Sequence, residues 1–204
     1  MHALPRRPLL LLAALLAPSA PLPARAQATP AAVIEGFNAT LLDIMKNAQR
    51  LGVRGREGRL RPVMAQAFNL EAMTRISIGP AWTQIPPAEQ QALIRAFSDW
   101  SIATFAHRFD GYSGESFQTT GENTLQSGDR LVRTQLLRPR EEPVALNYLL
   151  RDFGGAWRVV DVYLSGTVSE LASRRAEFTT LLREGGAARL EAELRRRTAT
   201  LLQG

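Results

Sequence analysis

The chain contains no cysteine, and Lys46 is the only lysine among its 25 basic residues. Without cysteine there is no disulfide framework, so the fold must be stabilised by packing. Histidine is nearly as scarce, with His2 and His107 only. That removes the clustered imidazole or thiolate ligands from which most metal sites are built. Nucleotide-cradling loops are missing as well: Gly52, Gly55 and Gly58 precede no strand–helix unit of the required kind. The net charge of +6 comes from arginines interspersed with acids rather than striped along one face, which excludes a nucleic-acid footprint. One long apolar run exists, Leu9 to Ala17. It falls short of the ~20 residues that a membrane-spanning helix needs.

That run is framed as an export signal. Arg6 and Arg7 precede it, Pro18, Pro21 and Pro23 stop it, and Ala24-Arg25-Ala26 offers a small-x-small cleavage site. The expectation is a signal peptide over residues 1–26, cleaved after Ala26, and a periplasmic location. Removing 26 residues from 204 leaves 178; three arginines and no acid go with them, so the charge falls from +6 to +3. The remainder, residues 27–204, has the length of one domain with a sizeable core.

Three- and four-residue spacing of apolar residues predicts helices from Ala31 to Ala48, Leu60 to Phe68, Leu70 to Ile78 and Ala88 to Phe109, with the glycines from Gly52 to Gly58 loosening the chain between the first two. The fourth carries a broad aromatic stripe that includes Phe97, Trp100, Phe105 and Phe109. After Gly111 the period becomes two, predicting strands over Glu115–Leu125, Arg130–Arg138, Pro143–Arg151 and Ala156–Leu164 with short turns between them. Thr167 and Glu170 then form a capping box for a helix that Gly185-Gly186 ends, and a last helix follows. The fold class is α+β: a curved four-stranded antiparallel meander with helices packed into its concave side.

One feature of the strands sets the functional question. Alternation places Trp157, Val159, Asp161 and Tyr163 on one face and Arg158, Val160, Val162 and Leu164 on the other, yet both sets are mostly apolar. The third strand repeats this, with Val144, Leu146, Tyr148 and Leu150 opposite Ala145, Asn147 and Leu149. Two apolar faces need two covers. Helices can supply both, or part of the cover is a bound apolar ligand held in a cavity.

Several segments resemble one family. They are Phe68-Asn69-Leu70-Glu71-Ala72-Met73, Gly79-Pro80-Ala81-Trp82, Pro87-Ala88-Glu89-Gln90-Gln91 with Phe97, Phe105 through Phe109-Asp110-Gly111-Tyr112-Ser113-Gly114-Glu115, and Trp157-Arg158-Val159-Val160-Asp161-Val162. In order and spacing they resemble the periplasmic lipid-binding component of the Mla (toluene-tolerance) ABC transport systems, the MlaC-like proteins. The stretch from Gly166 to Phe178 is more similar to the hopanoid-associated branch, HpnM, than to the phospholipid-shuttle branch. The resemblance implies a carrier for a phospholipid or a hopanoid. It also implies two partners, an outer-membrane lipoprotein complex and an inner-membrane ABC transporter complex, with no cofactor, no metal and no catalysis.

Candidate lipid-binding residues are Phe97, Phe105, Leu146, Tyr148, Val162, Leu164, Phe178 and Leu182 in the cavity, with Trp82 as an entrance or lid. Arg174 and Arg175 are candidates for an anionic headgroup or a partner, against a solvated helix face paired with Glu170 and Glu177. Two other classes stay open. One is an enzyme in which His107 and Asp161 meet as an acid–base pair; the other is an adaptor without ligand, whose aromatic stripe is an interface.

Overall fold

The computed structural model describes residues 28–203, so the expected signal peptide lies outside the described residues. Thr29 caps helix α1 (Pro30–Lys46) by accepting from the Ala32 amide, with Pro30 in the first turn. Its buried stripe is Ile34, Phe37, Leu41, Ile44 and Met45. Helix α2 (Ala48–Ala67) begins directly after Asn47. The expected loosening over three glycines is confined to Gly52, whose φ of 60° and ψ of 175° interrupt the helix; Gly55 and Gly58 stay helical. Helix α3 (Leu70–Ile78), a 3-10 turn (Gly79–Gln84) and helix α4 (Pro87–Arg108) follow. Arg56 is buried between α2 and α4 and donates to the carbonyls of Ala106 at 2.7 Å and Ala48 at 3.0 Å. It thereby satisfies one of the carbonyls that the last turn of α4 leaves open.

The sheet is an antiparallel meander in chain order: β1 (Ser116–Thr124), β2 (Arg130–Arg138), β3 (Glu141–Asp152), β4 (Trp157–Leu164) and β5 (Val168–Ser169). The four expected strands gain a fifth, two residues long. Ser165 and Gly166, with φ of 50° and 85°, turn the chain back so that Val168 pairs with Leu164 and Ser169 with Tyr163. That pairing also moves the helix cap. Not Thr167 but Ser169 caps helix α5 (Glu170–Leu201), its Oγ accepting from the Ala172 amide at 2.9 Å.

Pairing register sorts the side chains. Val132, Thr134 and Leu136 on β2 stand opposite Tyr148, Leu146 and Val144 on β3; Leu146 and Tyr148 in turn face Leu164 and Val162 on β4. All point to the face that the helices cover, and all but Thr134 belong to or pack against one apolar core with Phe37, Met64, Phe68, Phe97 and Phe178. The two-faced strands have a different cause from the one expected. Leu149 pairs with Asp161 but Leu150 with Val159, so Val160 is an extra residue, a β-bulge. A one-residue shift flips the pattern, which brings Val159 to the same face as Val162, and both are buried. On β3 the second face is covered locally: Asn147 Nδ2 donates to the Gly166 carbonyl at 2.9 Å, so the β4–β5 turn lies over it.

Strand β4 is tied down at both flanks of the bulge. Phe68 bridges to Val159 in parallel fashion, and the Asn69 amide donates to the Val159 carbonyl at 2.9 Å while Asn69 Oδ1 caps α3 at the Ala72 amide. Asp161 accepts from the Val162 amide at 2.8 Å, the Ser169 hydroxyl at 2.5 Å and the Leu171 amide at 3.4 Å, anchoring the start of α5. Burial pushes its carboxyl above the ordinary value, against the pull of those donors. Removing the acceptor would leave buried donors unsatisfied. Asp161→Ala is therefore expected to lower stability by about 2 kcal/mol, read by chemical denaturation at neutral pH.

Helix α5 breaks at Gly185-Gly186, where Gly186 has φ of 66°. Arg197 meets Glu177 across the break. Twenty residues of unbroken helix would separate those side chains by ~30 Å, so the two halves double back as a hairpin. The cluster is completed by Glu193, which accepts from Arg196 and from Arg197 Nε, the latter at 2.8 Å. The arginines hold the Glu193 carboxyl down at about 2 and that of Glu177 below its ordinary 4.5. Native values below the unfolded ones mean that the contribution is whole above pH 4.5 and fades as pH falls towards about 2. Hydrogen exchange in residues 187–201 should accelerate over that window relative to α4, and less so in 0.5 M salt, as expected for a screened surface cluster.

Candidate functional site

Between the covered face of the sheet and helix α4 lies a cavity of about 290 Å³. The α2–α3 corner contributes Met64, Phe68 and Met73, and α4 contributes Phe97, Trp100 and Phe105, with Phe109 just past its end. From the sheet come Leu136, Val144, Leu146, Tyr148, Val162 and Leu164, and Leu171 closes the start of α5. The lining follows from the local structure of each element. Phe97, Trp100 and Phe105 recur along the one face of α4 that meets the sheet, while Leu136, Val144, Leu146 and Leu164 are cross-strand neighbours near one end of it.

One end of the cavity is closed by aromatic rings packed edge to face. Phe37 meets Phe68 at 5.0 Å, Phe105 at 5.6 Å and Tyr148 at 6.2 Å between centroids, and Phe105 stacks on Phe109 at 5.7 Å. Tyr148 is fully buried, which pushes its phenol well above the ordinary value. Its hydroxyl reaches Asn38 at 3.5 Å, a long contact. The remaining polar lining is Ser101, Thr104, Arg108, Glu170 and Arg174, at the C-terminal half of α4 and the start of α5. Ser101, Thr104, Glu170 and Arg174 are half-buried and Arg108 is exposed, so these groups form the wet rim of an apolar hole.

Six of the nine candidate residues border the cavity: Phe97, Phe105, Leu146, Tyr148, Val162 and Leu164. Three do not. Phe178 sits behind the wall, edge-on to Phe97 at 6.4 Å and to Trp100 at 6.2 Å. Leu182, one turn further along α5, packs against the core without reaching the cavity. Trp82 is buried in the 3-10 turn under the Arg75 guanidinium, 5.7 Å from the ring centroid, its carbonyl accepts from Gln90 Nε2 at 3.0 Å, and it does not border the cavity. Of the two candidate arginines, Arg174 borders the cavity, whereas Arg175 donates to the Ile76 carbonyl at 2.7 Å. His107 and Asp161 are not brought together at the cavity: neither borders it, His107 is exposed, and Asp161 is occupied by Ser169 and two amides. Among the described residues no group of acids and histidines is placed to hold a metal ion, and no helix is long and apolar enough to cross a membrane.

Sequence reasoning missed Phe68, Met64, Met73, Leu136 and Val144 as lining residues. Leu136 had a signal, being in phase with Val132 and opposite Val144 in the hairpin. For Phe68 the signal was weaker: only the bridge to Val159 turns that side chain, at the end of a helix, into the sheet.

The MlaC protein family matches residues 36–196, from the second turn of α1 to the second half of α5. The chain belongs to the MlaC family. A phospholipid-binding protein from Ralstonia solanacearum, solved in complex with a phospholipid, has the same fold, with a TM-score of 0.73 over 87% of this chain and 99% of that one at 22% identity. On this MlaC-family fold the quoted family segments have physical roles. Asn69 joins α3 to β4, Asp161 joins β4 to α5, and the aromatic residues of α4 form the wall.

The long Tyr148–Asn38 contact makes Tyr148 a wall rather than a polar anchor. Tyr148→Phe is expected to change stability by less than about 1 kcal/mol, while Tyr148→Ala costs about 3–5 kcal/mol by opening the core, both read from denaturant midpoints.

Proposed function

We propose that this MlaC-family chain is a periplasmic lipid carrier whose cavity takes the hydrocarbon tails of a phospholipid or hopanoid. The observation that carries the reading is the cavity itself, apolar in depth and charged only at its rim. Moving hydrocarbon into water costs about 0.8 kcal/mol per CH₂, so a two-chain lipid crossing an aqueous gap unaided meets a barrier on the order of 20 kcal/mol. A carrier lowers it by replacing bilayer contacts with side-chain contacts, which requires a deep pocket with few polar groups. Its affinity must stay near that of the membrane, since tighter binding prevents release. Transfer runs between an outer-membrane lipoprotein complex and an inner-membrane ABC transporter complex, and those partners set its direction. The Ala24-Arg25-Ala26 motif supports export with cleavage after Ala26. The Gly166–Phe178 segment supports a place in the hopanoid-associated branch, and family membership and the phospholipid-bound neighbour support lipid as cargo. With His107 and Asp161 apart from the cavity, the acid–base alternative loses its site.

Organic extraction of the purified protein followed by lipid mass spectrometry tests this. About one lipid per chain is expected; a folded wild-type protein without lipid would favour the adaptor instead. Leu146→Asp places a charge on the cavity wall and should reduce recovery at least tenfold. Val144→Trp, at a half-buried lining position that tolerates bulk better, should reduce it several-fold by filling the space.

A further inference from the structure

The cavity wall holds one kind of side chain whose chemistry lipid retention does not use. Met64 and Met73 both border the cavity, at the α2–α3 corner. The chain has no cysteine, and neither its single lysine nor His107 borders the cavity. Among the described residues the two thioethers are therefore the only soft nucleophiles that a guest chain touches. Both are shut off from solvent, at 1% and 6% exposure. Their position matters as much as their type. Phe68, four residues after Met64, belongs to the ring group that closes one end of the cavity. The charged lining, Arg108, Glu170 and Arg174, stands instead at the C-terminal half of α4 and the start of α5. Met64 and Met73 thus line the part of the wall that meets hydrocarbon. The Asn69 amide on the Val159 carbonyl fixes the corner that carries them. Met45 in α1 supplies the contrast: it is buried to the same degree, at 5% exposure, and does not border the cavity.

We propose that Met64 and Met73 form a reducing site for lipid hydroperoxides, so that a guest whose acyl chain carries a hydroperoxide leaves the cavity as the corresponding alcohol. The inference rests on the lipid-carrier reading and adds a reaction to it. An apolar pocket does not strongly reject a chain that merely gains an oxygen function. A thioether sulfur is also a weak acceptor for the hydroperoxide proton. Sulfur attacks the terminal oxygen, and the S–O bond forms as the O–O bond breaks. The electron pair leaves on the alkoxide oxygen, which takes up the proton of the transferred oxygen. The products are methionine sulfoxide and lipid alcohol; sulfur loses two electrons, the peroxide gains two, and no further reactant enters. Confinement supplies the rate, because a thioether and a peroxide held in contact react as one molecule rather than by chance encounter. Each thioether acts once, until a methionine sulfoxide reductase restores it.

The test loads lipid-stripped protein from vesicles of palmitoyl-linoleoyl phosphatidylglycerol seeded with its monohydroperoxide. Bound lipid is extracted and its alcohol-to-hydroperoxide ratio read by mass spectrometry, with methionine oxidation mapped on peptides of the same sample. Bound hydroperoxide is expected to convert to alcohol at least about tenfold faster than in vesicles alone. Sulfoxide at Met64 and Met73 together should match the alcohol formed mole for mole, with Met45 unoxidised. The Met64→Leu, Met73→Leu double variant should lose the conversion, read per bound lipid so that altered loading does not enter. Met45→Leu should keep it. If the double variant fails to fold, the wild-type peptide map decides alone. Hydroperoxide recovered unchanged, alcohol formed without sulfoxide, equal oxidation of Met45, or full conversion by the double variant overturns the reducing site while leaving the carrier reading intact. Wild-type protein that takes up neither the oxidised lipid nor its parent overturns the carrier reading for acyl lipids, and the reducing site with it.

Discussion

A cavity lined by hydrocarbon closes up unless its walls are fixed by something other than one another, and in this fold the fixing is done by three residues of β4. The Val159 carbonyl receives the Asn69 amide, the bulge at Val160 reverses the pleat, and the Asp161 carboxylate receives Ser169 and the Leu171 amide. The α2–α3 corner is therefore bonded to one flank of the bulge and the start of α5 to the other. The spacing between those two helical walls is set by the backbone of one strand rather than by side-chain packing. Protein interiors ordinarily fill to crystal-like density. Here the frame is rigid enough to leave a gap under α4.

The choice of residues around that gap follows from the same constraint. Rings that meet edge to face hold their shape, and the Phe37–Phe68–Phe105–Tyr148 group closes one end without a flexible side chain able to fold into the void. Among the cavity-lining residues, methionine appears only at the α2–α3 corner, as Met64 and Met73, where a pliable surface adapts to irregular neighbours. The buried polar groups near this frame are matched. Arg56 has two carbonyls, Thr134 has the Leu146 carbonyl and Asn147 has the Gly166 carbonyl. Arg174 alone among the polar lining pairs a buried unpaired nitrogen with ion pairs too long to be hydrogen bonds, and it stands where the cavity meets solvent.

Much of this was legible from the residues. The periods of 3.6 and 2 place α3, α4 and four of the five strands within a few residues of their observed limits, because each has a long apolar stripe and clear turn residues at its ends. The failures have physical causes. A bulge has no signature in composition, so Val159 and Val160 read as opposite faces of a regular strand. Gly52, Gly55 and Gly58 are indistinguishable by type, yet only Gly52 sits where the chain must leave the helix. Within the site, periodicity says which side of α4 or α5 faces inward, but not whether that side meets protein or space. Phe97 and Phe178 are both inward and nearly inaccessible; one borders the cavity and the other lies behind it.

The distinction between depth and rim bears on how a carrier selects. Tails of equal length contribute the same burial energy whatever the headgroup, so the depth of the cavity retains lipid without distinguishing one kind from another. Selection must come from the few polar groups that only the headgroup reaches. A guanidinium already fully bonded to carboxylates would gain little from a phosphate, and one with no neighbouring charge would gain so much that release fails. Arg174 lies between these limits. Glu170 and Glu177 stand close enough to hold it in place but too far to saturate it.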